Sequence, residues 1–304
     1  MSDQAWHDWR RDGIGASDIG ALLGLSRWDS PWSLWATKVG LLSPTETTER
    51  QQMGHDFEPV IAQLFTRKTG LYVAAEQTWC ANPAEPWMRC TVDGFVGEGF
   101  EPDGTVVLDI DMSTALGGFE AKTDGRLGWP DGVPDSYEAQ AQWSMGVTGM
   151  ERWWIAVIFS GWRFEVFEVK RDDADIAFMV GRARTFWFDH VLTGTPPPTD
   201  GSQATLDALA EVYPEPVEGK SIDLAAIPGL TSTHRLWLYH KNEAKVQKAM
   251  AAGHAATLQA ALGDAEEGTI DGVPVVSWRK IDRGGYQVEP TSYRQLLPRN
   301  PTKD

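Results

Sequence analysis

Apolar residues recur at helical spacing in the first quarter of the chain. In the segment ERQQMGHDFEPVIAQLFTRKTG, four apolar residues from Phe57 to Phe65 follow this spacing, and Gly70 ends the pattern. A period of about 3.6 residues that stops at a glycine predicts an amphipathic helix. Shorter helices are predicted before it, through residues 19–23 and in SPWSLWATKVG, where a Ser-Pro pair marks the start.

From residue 71 onward the pattern changes from helical spacing to that of β-strands. The predicted strands are LYVAAEQTWC, MRCTVDGFV, GGFEAKT, RWWIAVIF and RFEVFEV. A helix over residues 134–147 is predicted between the third and fourth strands, and a helix over residues 171–192 follows the last one. This order of elements predicts an α/β or α+β core with one main sheet.

Composition divides the chain into three parts. Residues 1–192 carry the helices and strands just described and read as one domain. The stretch TGTPPPTDGSQ, at 193–203, has the Pro, Gly and Ser content of a linker. Residues 204–304 form a C-terminal extension, in which a long polar helix and then a hairpin are predicted. Residues 97–116 read as an acidic insertion with its own strand-like piece, TVVLDIDM.

The bulk properties are those of a globular protein without membrane segments. No run approaches the roughly 18 apolar residues of a membrane helix, and the polar N-terminus is unlike a signal peptide. The two cysteines, Cys80 and Cys90, exclude a disulfide framework and a cysteine-rich metal cluster. We therefore expect a cytoplasmic protein. The formal charge of −16 argues against a general nucleic-acid coat, although a local basic lining can exist inside an acidic body.

The stretch GGFEAKT places a carboxylate and an amine two residues apart. In a β-strand, Glu120 and Lys122 point to the same face, which is also the arrangement of a simple surface ion pair. Upstream, Asp93 in TVDG lies at a predicted strand end. Asp93 and Glu120 could hold a divalent cation with the Ala121 carbonyl, and Glu58 could complete the acidic set. Lys122 would then orient or deprotonate a water molecule, or neutralise charge at a phosphate.

Four stretches in this order resemble the phage lambda exonuclease and YqaJ-like viral recombinase family of PD-(D/E)xK nucleases. They are WHDWRRDGIGASDIGALLG, MGHDFEPVIAQLF, TVDG with the later FEAK, and YEAQAQWSMGVTG. The resemblance implies a restriction-endonuclease-like core, with a central mixed sheet flanked by helices. Val92 stands where the family usually has a proline before the aspartate.

The resemblance also implies a role for each matching residue. The metal ligands would be Asp93, Glu120 and the backbone carbonyl of Ala121. The catalytic set would be Asp93, Glu120, Lys122, Glu58 and Gln140, and the phosphate or DNA contacts would be Arg10, Ser17 and Thr91. Asp109 and Asp111 offer a rival second motif, but neither is followed two residues later by a lysine, so Glu120 and Lys122 are favoured.

The implied activity is that of a 5′-to-3′ exodeoxyribonuclease on linear double-stranded DNA, dependent on Mg²⁺ with Mn²⁺ as a possible substitute. It would leave 3′ single strands for an annealing protein, in a bacterial host or encoded by a phage. The family implies a homo-oligomer, a trimeric ring, and its candidate channel cations here are Arg27, Arg67, Lys68, Lys122 and Arg126. Trp28 and Trp32 are candidates for stacking on bases.

Other functions remain open from the sequence. One alternative is a structure-selective or site-selective endonuclease on the same fold, and another is a catalytically silent DNA-end-binding protein. An acidic scaffold protein is what composition alone would suggest.

Overall fold

A computed structural model describes residues 3–43, 48–74, 77–98, 113–281 and 294–298. The chain divides into two compact units, Met1–Tyr213 and Pro214–Asp304. The helices of the first unit are α1 (Asp3–Arg11), α2 (Ala16–Leu22), α3 (Pro31–Lys38), α4 (Glu49–Thr69), α5 (Asp135–Thr148), α6 (Asp173–Thr185) and α7 (Gln203–Val212). Its strands are β1 (Leu71–Ala74), β2 (Thr78–Ala81), β3 (Arg89–Val92), β4 (Gly94–Glu98), β5 (Gly117–Asp124), β6 (Arg152–Phe159) and β7 (Arg163–Lys170).

Five of these strands form a mixed sheet in the order β1-β4-β5-β6-β7. Strands β5 and β6 are parallel, and α5 lies between them in the chain, as a parallel connection requires. The other neighbouring pairs in the sheet are antiparallel. Strands β2 and β3 form a separate hairpin, in which Cys80 and Cys90 are cross-strand partners and buried free thiols.

Helices cover both faces of the sheet. On one face α4 buries Phe65 against Phe119 and Trp154, and the rings of Phe65 and Phe119 lie 5.3 Å apart. On the other face Trp143 of α5 and Trp153 of β6 belong to a second, larger core cluster. The alternation along β6 divides its side chains between the two clusters. The predicted central mixed sheet flanked by helices is therefore confirmed.

The stretch MRCTVDGFV differs from its prediction as one strand. The chain bends at Asp93, because β3 before it pairs with β2 while β4 after it joins the main sheet. Asp93 thus lies at the joint between the hairpin and the sheet. The predicted strand TVVLDIDM lies outside the described residues, as do the rival aspartates Asp109 and Asp111.

The first unit extends further than the sequence-based boundary. Composition places residues 204–213 in the extension, but helix α7 is part of the first unit and contacts the start of α3. Ala208 is buried, and the Thr205 hydroxyl lies 2.7 Å from that of Ser30, which caps α3. These buried contacts depend on residues distant in sequence, so the composition of the linker could not reveal them.

The second unit contains the predicted long helix and hairpin. Its described elements are α8 (Leu230–Leu262), β8 (Glu267–Ile270) and β9 (Val273–Ser277), and the two strands pair antiparallel. Helix α8 has 33 residues, none of them buried. Across the described parts of the chain, no helix has the length and apolar character needed to cross a membrane.

Candidate active site

Strand β5 presents Glu120 and Lys122 on the face of the sheet that α5 covers. Phe119 and Ala121 alternate with them and pack in the opposite cluster, beneath α4. The Lys122 ammonium donates to Glu120 Oε1 at 2.5 Å, and both side chains are largely buried. Burying an ion pair costs more desolvation free energy than forming one at the surface. The burial of Glu120 and Lys122 therefore favours a chemical role over that of a simple surface ion pair.

Two glycines allow the start of β5 to approach the tryptophans of β6 closely. A Cβ atom on Gly118 would lie 2.1 Å from the ring of Trp153, and one on Gly117 would lie 2.4 Å from the carbonyl oxygen of Arg152. The glycines in GGFEAKT therefore allow the close packing that holds the strand carrying Glu120.

Helix α5 contributes Gln140 and Tyr137 to the same group. The Gln140 amide donates to Glu120 Oε1 at 2.7 Å, and its oxygen accepts from Lys122 Nζ at 3.4 Å. The Lys122 ammonium also lies 5.1 Å from the centre of the Tyr137 ring. Residues 137 and 140 are three apart on a helix and so share one face. Gln140 thus holds both members of the Glu120–Lys122 pair in one geometry.

Asp93 joins this group from the bend before β4. Its Oδ2 accepts a hydrogen bond of 3.0 Å from the backbone N–H of Ala121. Because β4 begins at Gly94, which pairs with Phe119, Ala121 lies beyond the end of that ladder. The aspartate side chain therefore takes the place of a missing strand partner and is fixed beside β5. The contact is with the Ala121 N–H, and the role of its carbonyl stays a prediction.

The site contains an excess of negative charge. Burial raises the pKa of Asp93 well above its ordinary value, and the charges of Glu120 and Glu58 raise it further, with Lys122 opposing them in part. Burial alone would lower the pKa of Lys122, but Glu120 and Asp93 raise it above its ordinary value. Lys122 is therefore a cation at neutral pH in this structure, and the carboxylates repel one another.

Glu58 extends towards Asp93 from α4 and contacts two other side chains. Its Oε1 lies 2.7 Å from His55 Nδ1, and its Oε2 accepts from Gln77 at 3.3 Å. The spacing of three residues on a helix places His55 next to Glu58.

The donor set suits a hard divalent cation. Within the described ranges, no three His, Cys, Asp or Glu side chains are arranged as a ready metal site. Asp93 and Glu120 nevertheless supply two carboxylates, and Mg²⁺ commonly binds one or two carboxylates while it keeps several waters. Burial is the main cause of the raised Asp93 pKa, and the charge of Glu120 adds to it; a bound divalent cation would offset both effects. The residues present therefore fit such a metal.

Arg10 and Ser17 form a second polar cluster. The Arg10 guanidinium donates to the Ser17 hydroxyl at 2.7 Å and to Asp18 Oδ1 at 3.0 Å. Ser17 is exposed, and the Arg10 side chain keeps 31% of its accessible surface. The predicted phosphate contacts Arg10 and Ser17 are thus side by side and open to solvent.

Thr91 lies on the β2–β3 hairpin. Its cross-strand partner is Trp79, whose ring stacks on Trp9 at 5.3 Å. Trp9 precedes Arg10 in α1, so the hairpin that carries Thr91 is packed on that helix. The role of Thr91 at a phosphate stays a prediction.

The two candidate stacking tryptophans differ in exposure. Trp28 is 71% exposed, with the Arg27 guanidinium 4.4 Å from its ring centre. Trp32 is 4% exposed and packs in the core, so the suggestion that it stacks on bases is wrong. Trp32 and Trp35 are three residues apart on α3 and so share one face of the helix, which is the sequence pattern of buried residues.

This mixed α/β fold places Asp93 at a strand joint and Glu120 and Lys122 on β5, which is the arrangement that the resemblance to PD-(D/E)xK nucleases implies. The sequence model of the YqaJ-like viral recombinase domain matches residues 5–151. The protein YqaJ of Bacillus subtilis (strain 168) is 32% identical over 231 residues, which cover 74% of this chain and 68% of that one. The chain therefore belongs to the YqaJ-like viral recombinase family, and the matched range includes both clusters.

Solved structures with a similar fold are more distant in sequence. An alkaline exonuclease (LHK-Exo) from Laribacter hongkongensis is 16% identical with a TM-score of 0.46, and the match covers 63% of this chain and 94% of that one. A phage-related exonuclease from Haemophilus somnus 129PT is 12% identical with a TM-score of 0.43, covering 62% and 99% of the two chains.

Proposed function

We propose that the protein is a metal-dependent deoxyribonuclease that digests linear double-stranded DNA from 5′-phosphorylated ends in the 5′-to-3′ direction. The observation that carries this proposal is the contact of Glu120, Lys122 and Gln140, with Asp93 fixed beside them. Hydrolysis of a phosphodiester needs carboxylates for a cation and a positioned positive charge, and this group supplies both.

Each residue has a distinct part in the proposed chemistry. Magnesium, or manganese in its place, would be held by Asp93, Glu120 and the Ala121 carbonyl, and would polarise a phosphate oxygen and activate water. Lys122 is a cation at neutral pH, which suits stabilisation of negative charge developing on the phosphate. Gln140 contacts the side chains of Lys122 and Glu120 and fixes their orientation. Glu58 adds negative charge near Asp93.

Arg10 and Ser17 support an exonuclease over an endonuclease. Arginine forms paired hydrogen bonds with phosphate oxygens, and a hydroxyl beside it adds another donor. The Arg10 guanidinium is partly exposed and lies next to the exposed Ser17 hydroxyl, as recognition of a terminal phosphate needs. An endonuclease has no need for a pocket that recognises chain ends.

We also propose the setting in which this activity operates. Membership of a viral recombinase family supports a role in recombination, in which the 3′ single strands pass to an annealing protein in the cytoplasm of a bacterial host. A trimeric ring with a cationic channel would reconcile DNA binding with the chain's formal charge of −16. The role of the second unit is left open by this proposal.

The test uses end-labelled linear duplexes with a 5′-phosphate or a 5′-hydroxyl, and a covalently closed circle. We expect Mg²⁺-dependent loss of the phosphorylated duplex from its 5′ end, no loss in EDTA, and no cutting of the circle. Lys122→Met should abolish digestion, while Lys170→Met, the same change at an exposed lysine of β7, should not. Cutting of the circle would show that the protein is an endonuclease and would overturn the proposed exonuclease activity. Intact DNA in every arm would overturn the proposed enzyme.

A further inference from the structure

A buried ion pair lies directly behind Arg10. The Lys38 ammonium, from the last turn of α3, donates to Asp18 Oδ2 at 2.7 Å, and the two side chains are 5% and 7% exposed. Asp18 Oδ2 also accepts from the backbone N–H of Gly15 at 2.8 Å. The other oxygen of Asp18, Oδ1, faces the Arg10 guanidinium. Asp18 thus connects a buried lysine on its inner side to a partly exposed arginine on its outer side.

Lys38 also fixes the backbone that carries Arg10. Its ammonium donates to the Arg10 carbonyl oxygen at 2.7 Å. This carbonyl is in the last turn of α1, where helix geometry leaves carbonyl groups without a partner in the helix. One buried ammonium therefore anchors the end of α1 and the start of α2, the two segments that supply Arg10 and Ser17.

Asp18 lies between two cations. The Arg10 guanidinium faces one of its oxygens and the buried Lys38 ammonium faces the other, while the exposed carboxylate of Asp29 interacts with Asp18 and Arg10 from further out. If Asp18 faced Arg10 alone, the carboxylate would compensate the positive charge of the guanidinium. Because Lys38 already compensates Asp18, the positive charge of Arg10 is available to an outside anion, while Asp18 still orients the guanidinium.

A pair of this kind is not explained by stability alone. Removing two charges from water costs free energy that their attraction recovers only in part, so buried ion pairs are weak stabilising elements. The arginine side chain is long and flexible, so an arginine that nothing holds in place loses substantial rotamer entropy when it binds a ligand. Fixing it beforehand lowers the cost of binding a phosphate.

We propose that Asp18 and Lys38 are positioning residues: Asp18 orients the Arg10 guanidinium and Lys38 compensates the charge of Asp18, and together they set the preference for a 5′-phosphorylated DNA end. The proposal rests on the proposed function, since it deepens the role given there to Arg10. Asp18 keeps the guanidinium beside the Ser17 hydroxyl, and Lys38 prevents Asp18 from neutralising it. Neither residue touches the substrate.

The experiment measures selectivity between ends rather than activity alone. The ratio of kcat/KM for a 5′-phosphorylated over a 5′-hydroxyl duplex is determined for wild type, Arg10→Ala and Lys38→Met. Binding of the same two duplexes is measured in EDTA, so that a second ratio does not depend on turnover. Lys38→Met should lower both ratios by about 10- to 100-fold, the effect of a displaced binding group. In the Arg10→Ala background, Lys38→Met should cause no further loss of preference.

A further variant separates positioning from a structural role. Adding Asp18→Asn to Lys38→Met removes the uncompensated carboxylate and should restore part of the preference. Thr205→Val is the matched control, because it removes a buried hydrogen bond to the cap of α3 without touching Arg10. This control should lower the melting temperature and leave both ratios unchanged.

The outcomes distinguish the two proposals. If wild type shows no preference, or Arg10→Ala does not change it, the phosphate pocket fails and the positioning pair fails with it. If Arg10→Ala removes the preference but Lys38→Met leaves both ratios intact, the positioning pair alone is overturned. If neither Lys38→Met nor Lys38→Gln folds, the pair is a folding element and the proposal is likewise overturned.

Discussion

Replacing Gly118 by alanine would test how tightly the strand of Glu120 is built into the sheet. The new Cβ would lie 2.1, 2.3 and 2.4 Å from three carbon atoms of the Trp153 ring. Trp153 has no exposed surface and is the register partner of Gly118 on the parallel neighbour β6. A rigid ring in a close-packed core cannot rotate away as an exposed side chain could.

The magnitude follows from the displacement that the methyl group demands. Ordinary carbon contacts lie at about 3.5–4.0 Å, so the ring or the strand must move by more than an ångström. Overpacking of this kind costs about 1–3 kcal/mol. In a unit of this size each kcal/mol lowers the melting temperature by roughly 2–4 °C, so a loss of about 2–12 °C is expected. Because Glu120 is two residues away on the same face, kcat should fall as well.

Thermal unfolding and single-turnover DNA digestion would measure the two effects. Gly125→Ala is the matched control, because nothing lies within 4 Å of its Cβ position and its φ is not in the left-handed region. We expect Gly125→Ala to resemble wild type in both assays. If Gly118→Ala unfolded at the wild-type temperature with full activity, the argument that the glycine is required by packing on Trp153 would be refuted.

Three further predictions concern the site and its surroundings. Gln140→Leu removes the amide that contacts Glu120 and Lys122 and should lower kcat about 10- to 100-fold with little change in melting temperature; an unchanged kcat would show that Gln140 is only structural. The pKa of Asp124 is lowered to about 2, chiefly by hydrogen bonds from its arginine neighbour, so its stabilisation is complete above its ordinary pKa and is lost as pH falls towards 2. The stability difference between wild type and Asp124→Asn, measured by urea unfolding, should therefore shrink on acidification, and a constant difference would contradict this. Millimolar Mg²⁺ should raise the melting temperature of wild type and raise that of Asp93→Asn much less; equal shifts would argue against Asp93 as a ligand.

Local patterns predicted the secondary structure well because they are set by nearby residues. The α4 helix, its end at Gly70 and the same-face arrangement of Glu120 and Lys122 all depend on periods of 3.6 or 2 residues. The joint at Asp93 was harder to predict, because its two flanking strands choose different partners. Strand partners are distant in sequence, and a single chain does not reveal them.

Lys38 shows most clearly what the sequence concealed. A lysine in the last turn of an amphipathic helix is usually solvated, and its positive charge interacts favourably with the negative end of the helix dipole. Its burial depends on Asp18, twenty positions earlier, and on a carbonyl of Arg10. These contacts arise only when three short helices pack together. The same holds for Gln77, whose contact with Glu58 joins separate elements.

The two charged clusters of the first unit are suited to ions of opposite sign. The cluster on β5 combines the carboxylates of Asp93, Glu120 and Glu58 with one ammonium, and it is therefore suited to a divalent cation. In the cluster around Arg10, the carboxylate of Asp18 lies between two cations, and the partly exposed guanidinium of Arg10 is suited to an anion. A phosphorylated DNA end that arrives with a divalent cation would satisfy both. The overall charge of −16 describes the whole surface, so it does not oppose DNA binding at sites whose local charges differ in this way.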